Sequence, residues 1–357
     1  MSSTPGSVCD PVAMPGERVS IRPTSSRPTP LVAADRVEII SVCDNVTDAL
    51  LPDQGPARRF RERPGGPRLV DAPLLVGGVA SDPPLAQHGY ATLVRVTGRG
   101  RTWNVLFDTG ATPDGCVENL ARLGIDTGEI DLVVLSHGHY DHVTGLSGLA
   151  PHLGPRHVPV VVHPDAFRSR RISLGDRGHR PLTQLDPDAL VAAGFVVEQH
   201  AGPTLVADDL VLVTGEVERT TEFERGLPGQ EALVDGHWIP DAVMADDQAL
   251  VVNLDHEGLV VVTGCGHAGV VNITHHAREL TGVDHVHAVM GGFHLGGPSN
   301  EPAIGPTVAE LADLRPDVVV PTHCTGWRAV GAIADALPDA VVHNSVGTTI
   351  DLGHTSG

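Results

Sequence analysis

Apolar residues fall along this chain in short, branched runs separated by polar and glycine-rich breaks, a pattern that predicts many buried strands rather than long helices. In the first half, Val37 to Val42, Ala91 to Val96, Trp103 to Phe107, Ile130 to Leu135 and Val158 to Val162 read as strands. In the second half the candidates are Leu210 to Thr214, Gln248 to Asn253, Leu259 to Thr263, His287 to Met290, Val318 to Val320 and a terminal strand near Ala340 to Val342. Gly98-Arg99-Gly100-Arg101 joins one pair as a hairpin-like turn, and Asp255-His256-Glu257-Gly258 joins another. Helical spacing predicts Cys116 to Leu123, which Gly124 stops, then Val270 to Leu280, Thr307 to Leu314 and Arg328 to Leu337. Residues 1–35 are rich in Ser, Pro and Gly with little apolar periodicity, which predicts a disordered tail; 36–357 is then expected to form one domain.

The residues with chemistry to offer stand just past the predicted strands. After Ile130 to Leu135 come His137, His139, Asp141 and His142, three imidazoles and a carboxylate within six positions. Neutral imidazole nitrogen and hard carboxylate oxygen suit zinc, with manganese or iron less well served. One ion cannot easily take so many neighbouring ligands, so His137 and His139 read as serving one metal, Asp141 and His142 a second. A histidine-rich surface loop is the bland alternative in a chain with 20 His. His267, His294 and His323 occupy strand-end positions farther along. Asp108, closing the neighbouring strand, is placed to accept the free N–H of a ligand imidazole, or is simply a turn aspartate. Cys265 reads more readily as a small buried residue beside the ligands than as a thiolate ligand. Asp246-Asp247 is either a support for the site or a solvated pair.

The word His-x-His-x-Asp-His, with Asp108-Thr109-Gly110, Gly264-Cys265-Gly266-His267-Ala268-Gly269, Gly291-Gly292-Phe293-His294-Leu295 and Pro321-Thr322-His323-Cys324-Thr325-Gly326 following in order, resembles the metallo-β-lactamase superfamily. Within it, the words are similar to a subfamily labelled 7,8-dihydropterin-6-methyl-4-(β-D-ribofuranosyl)aminobenzene 5'-phosphate synthase-like. The resemblance runs from about Val37 to Leu352 and departs at Val143-Thr144-Gly145, where the subfamily usually has a small residue and two glycines. It implies an α/β fold, a four-layer αββα sandwich with metals at one edge. It also implies His267 and His323 as further metal ligands, and leaves His294 open between a ligand and a substrate-facing acid or hydrogen-bond donor.

Charge narrows the partners. With 44 acidic against 24 basic residues, the net charge of -20 opposes binding to a nucleic acid. No run approaches the length of a membrane span and no signal peptide is visible, so a cytoplasmic protein is expected. Five scattered cysteines do not suggest a disulfide framework. Against the acidic background, Arg168, Arg170, Arg171, Arg177, His179 and Arg180 form a basic stretch near 165–190. Guanidinium forks match phosphate and carboxylate, so Arg168, Arg170 and Arg171 are expected to face the substrate and grip an anion remote from the reacting bond. A solvated loop is the alternative.

These residues make the expected activity that of a dinuclear metallo-hydrolase, in which a hydroxide bridging two divalent ions attacks a small anionic phosphoester or cyclic ester, with Asp141 and His294 as catalytic residues. The subfamily label implies instead a synthase joining a dihydropterin diphosphate to an aminobenzene ribofuranosyl phosphate. An iron-loaded redox enzyme and a metal-stabilised binding protein are the remaining alternatives. The sequence does not set the oligomeric state.

Overall fold

The computed structural model describes residues 19–60, 68–154 and 156–353, and in it the branched runs pair into two large sheets laid face to face. One sheet has the strand order Val196–Gln199, Pro159–Val162, Leu132–Val134, Arg101–Phe107, Ala91–Gly98, Arg36–Cys43, Thr349–Gly353 and Ala57–Arg58. The other runs Ile21–Pro23, Thr204–Val206, Val211–Val213, Leu250–Leu254, Gly258–Val262, Val286–Gly292 and Val318–Thr322, with Ala33–Ala34 paired off this path to Leu250–Leu254.

The alternation of side chains along each strand builds the layers. Ile39, Val94, Val105 and Phe107 from one sheet meet Val252, Val260, Met290 and Val320 from the other in the inter-sheet core. The residues between them point the opposite way. Ile40, Leu93, Leu106 and Val133 pack with Leu120 of the helix Gly115–Arg122 and Leu149 of Leu146–Leu149. Val251, Leu259 and Val261 cover Ile273 and Ala277 of the helix Val270–Thr281, and Val289 and Val319 meet Leu311 and Ile333 of Ile304–Leu314 and Trp327–Ala336. Central strands are buried on both faces, which is why they read as continuous apolar runs. The product is the expected four-layer αββα sandwich.

Three parts of the reading change. Residues 1–18 of the expected tail lie outside the described residues, but Ile21–Pro23 and Ala33–Ala34 are strands, the first paired antiparallel with Thr204–Val206. A few apolar residues docking on an existing sheet need no periodicity of their own. The terminal strand is Thr349–Gly353, paired with Arg36–Cys43, while Val341 makes only an isolated bridge to Val319. The basic stretch is not a loop: Arg170–Ser173 and His179–Pro181 join Gln230–Val234 and His237–Pro240 in a separate four-stranded sheet.

Candidate metal centre

Five strands in the two sheets end at the same edge and deliver the chemistry there. Arg101–Phe107 leads to Asp108, Leu132–Val134 to the histidine-rich word, Gly258–Val262 to Cys265 and His267, Val286–Gly292 to His294, and Val318–Thr322 to His323. Asp141 and His142 lie in a single helical turn, Tyr140–Val143. Asp108, His294 and His323 all have left-handed backbone, at φ of 61°, 45° and 49°. Non-glycine residues tolerate that conformation only where the surroundings hold them in it, and such positions gather at functional sites. Gly138 is the required spacer between two imidazoles, because a Cβ there would lie 2.4 Å from the Ala166 carbonyl oxygen.

The candidate ligand atoms form two groups, each with its members within 4.8 Å of one another: His137, His139 and His267 in one, Asp141, His142, Cys265 and His323 in the other. Cys265 also groups with His267 and His294. Its sulfur, 3.1 Å from His142 Nε2, sits among ligand atoms and not merely beside them.

Hydrogen bonds fix the outward edge of each ring in the histidine word. Asp108 Oδ1 accepts the Ser136 N–H at 2.7 Å, and its Oδ2 accepts both the Ser136 hydroxyl and the His142 Nδ1–H at 2.6 Å. With the Ser136 proton spent on Asp108, its oxygen accepts from His137 Nδ1 at 2.9 Å. His139 Nε2 donates to Gln230 Oε1 at 2.8 Å, and the Gly138 amide donates to Asp246 Oδ2 at 3.0 Å. These contacts set tautomers that leave His137 Nε2 and His139 Nδ1 as inward lone pairs, and they turn His142 Nε2 inward as well.

Several of the inward atoms have no hydrogen bond within the chain. His137 Nε2, His323 Nε2, His294 Nδ1 and both ring nitrogens of His267 are buried with no hydrogen bond. Buried polar atoms are normally satisfied, and a cluster of unsatisfied imidazole nitrogens fits metal ions. Burial pushes the His137 and His267 imidazoles well below their ordinary range and His139 below it, so all three rings are neutral and ready to coordinate. Burial also opposes charge on Asp141, yet His142 and His323 outweigh it and hold the carboxyl well below its usual value. For His142, burial is overcome by Asp108 and Asp141, which raise it to about 9. Metal binding would have to displace that proton.

Two cavities open at this edge. One, of about 310 Å³, is lined by His267, His294, Phe293, Glu224, Arg225 and Asn300. The other, of about 570 Å³, is lined by His323, His294, His88, Leu51, Trp327 and Val330. His294 lines both.

The three arginines expected to grip an anion are paired within the chain. Arg170 is buried, and its guanidinium reaches Asp241 Oδ2 at 2.8 Å and both oxygens of Asp246 at 2.8 and 2.5 Å. Burial disfavours that charge but Asp246 and Asp241 hold it in place. Arg171 pairs with Glu231 and stacks on Trp238, and Arg168 pairs with Asp165. None of the three lines either cavity. Arg168, Arg170 and Arg171 are each paired with carboxylates of this chain. Sequence reasoning missed Ser136 and Gln230 and left Asp246 undecided. Ser136 directly precedes the motif and was open to discovery, whereas Gln230 opens a short strand with no motif.

Comparison with known proteins places this geometry. Residues 103–173, which contain Asp108 and the histidine word, match the family model described as the Beta-lactamase superfamily domain. A crystal structure of a metal-dependent hydrolase of the beta-lactamase superfamily superposes with a TM-score of 0.65 at 24% identity, covering 89% of this chain and 100% of that one. The chain therefore has the fold of that structure, and residues 103–173 match the superfamily domain. It is also similar to the 7,8-dihydropterin-6-methyl-4-(beta-D-ribofuranosyl)-aminobenzene-5'-phosphate synthase of Methanocaldococcus jannaschii, 29% identical over 250 residues that span 68% of this chain and 83% of the relative. An uncharacterized protein of the same organism is 28% identical over 279 residues, 78% of this chain and 99% of its own length. Among the described residues no helix is long and apolar enough to cross a membrane.

Proposed function

We propose that this protein is a dinuclear metallo-hydrolase acting on a small-molecule ester, cyclic ester or phosphoester, with zinc as the metal. The observation that carries the reading is the set of buried ring nitrogens without a hydrogen bond on His137, His267 and His323, the last two lining the two cavities. His137, His139 and His267 would hold one ion, and Asp141, His142 and His323 the second, with the Cys265 sulfur within reach of both groups. Two such ions supply Lewis acidity and make water ionisable near neutral pH.

The chain's own residues do the rest. Asp108 and Ser136 hold two rings in register, and Gln230 holds a third. Asp141 contributes an anionic oxygen that remains ionised. His294, between the cavities, is positioned to bind or protonate a departing oxygen: burial opposes its charge, and contact with Cys324 raises it above the ordinary value. Phe293 in the smaller cavity and Leu51, Trp327 and Val330 in the larger give a substrate apolar surface on both sides of that histidine. The anionic character expected of the substrate loses its main support with the arginine clamp, so neutral lactones and esters belong in the assay beside phosphoesters. A screen of phosphodiesters, phosphomonoesters, lactones and thioesters with zinc-loaded protein tests the reading; turnover of at least one class, abolished by chelator, is expected. No turnover in any class would count against hydrolysis.

A synthase is the second reading. It is favoured by the similarity to the named synthase and by two cavities meeting at one histidine, which suits two substrates. Incubation with a dihydropterin diphosphate and an aminobenzene ribofuranosyl phosphate, with release of diphosphate as readout, distinguishes it.

A further inference from the structure

Strands Gly258–Val262, Val286–Gly292 and Val318–Thr322 lie side by side and parallel. Their exits carry the candidate metal centre. Their entries also carry ligand-type residues, which the reading of the site does not use: Glu257 before the first, His285 and His287 at the second, Asp317 before the third. The pairing of Ala288 with Val318 makes His287 and Asp317 lateral neighbours. His285 Nε2 lies 2.8 Å and His287 Nδ1 2.9 Å from the same atom, Asp317 Oδ2, and Glu257 Oε2 is 4.0 Å from His287 Nδ1. Ligand atoms of His285, His287 and Asp317 are all within 4.8 Å of one another. The His287 side chain is only 14% exposed, while those of His285 and Asp317 are each 51% exposed, so the group is anchored on one side and open to solvent on the other.

We propose that this end of the sheet is a second, separate metal site, at which His285, His287 and Asp317, with Glu257 closing the set, take one divalent transition-metal ion and clamp three strand entries together. The donor set of two imidazole nitrogens and carboxylate oxygen selects zinc, nickel or copper over magnesium or calcium, which want oxygen alone. Small outward movements suffice, since the nitrogen-to-oxygen spacings are already near those between ligands sharing one ion. A strand of seven residues separates the two ends, about 20 Å at roughly 3.3 Å per residue, so the clamp and the buried centre are independent binding events. Because the site bridges three strands of the folded state, occupancy should stabilise the fold.

The test is calorimetric titration of zinc into full-length protein whose buried centre is already zinc-loaded and which has been freed of excess metal. One further zinc ion per chain is expected, with no equivalent binding of magnesium and a rise of a few degrees in Tm. Asp317→Asn and His285→Gln should each weaken this event about tenfold or more and abolish the Tm gain, while the zinc retained beforehand stays unchanged. Absence of a further zinc ion, or binding that both variants leave intact, overturns the proposal. His285→Gln keeps a hydrogen-bonding amide beside Asp317, so it separates loss of a ligand from loss of a hydrogen bond.

Discussion

Asp108 shows how a single side chain prepares the site. Its two oxygens take three donors, the Ser136 amide and hydroxyl and the His142 ring, from one buried position at a left-handed turn. The carboxylate thereby orients His142 directly and His137 through Ser136. Asp108→Asn keeps the shape but replaces an anionic acceptor with an amide that offers a donor at one of these contacts. Metal affinity should fall about 10- to 100-fold, as for other partners of ligand histidines, and chelator competition measures it. Unaltered affinity would remove Asp108 from this role. At this scale the grouping of the candidate ligands was legible, because His137, His139, Asp141 and His142 lie within six positions of one another in sequence. Cys265 and Gln230 were not, because a cysteine is as often a small buried residue and a glutamine carries no signature until the fold sets it against His139.

Among the elements, the four-stranded sheet holding Arg170–Ser173 and Gln230–Val234 was the least legible. Its strands are short, and His179–Pro181 and His237–Pro240 are exposed throughout, so no burial pattern marks them. Its effect on the centre is nonetheless direct. Gln230 bonds His139, and Arg170 bonds the same Asp246 that receives the Gly138 amide. Arg170→Gln should therefore act through structure, leaving the carboxylates of Asp246 and Asp241 buried without their cation, at a cost of about 3–5 kcal/mol by comparison with other broken buried pairs. Denaturant unfolding reads the loss. Activity should fall equally for neutral and anionic substrates; selective loss for anionic ones would favour the clamp instead.

For the molecule as a whole, the αββα architecture was readable because its central strands are buried on both faces, while edge strands such as Ile21–Pro23 depend on a sheet already present. One consequence of that packing is a pH dependence of stability. Glu224 accepts the Val271 and Asn272 amides at the start of the helix Val270–Thr281, yet burial dominates and pushes its carboxyl from 4.5 to about 7. The folded state then binds the proton more tightly than the unfolded state, so this group's contribution is fully present below pH 4.5 and is lost as pH rises through about 7. The linked change is on the order of 3 kcal/mol. Glu224→Gln should flatten the difference between urea midpoints at pH 4.5 and pH 7.5 relative to wild type; an unchanged difference would show that Glu224 is ionised throughout. The central claim, that the strand ends build a two-ion centre, is tested most directly by elemental analysis of the His285→Gln variant, in which the outer clamp is disabled and only the buried ligands are counted. Two zinc ions per chain are predicted, falling when His137 or His323 is also replaced by Ala; one ion or none, with no gain on adding zinc, would contradict the account.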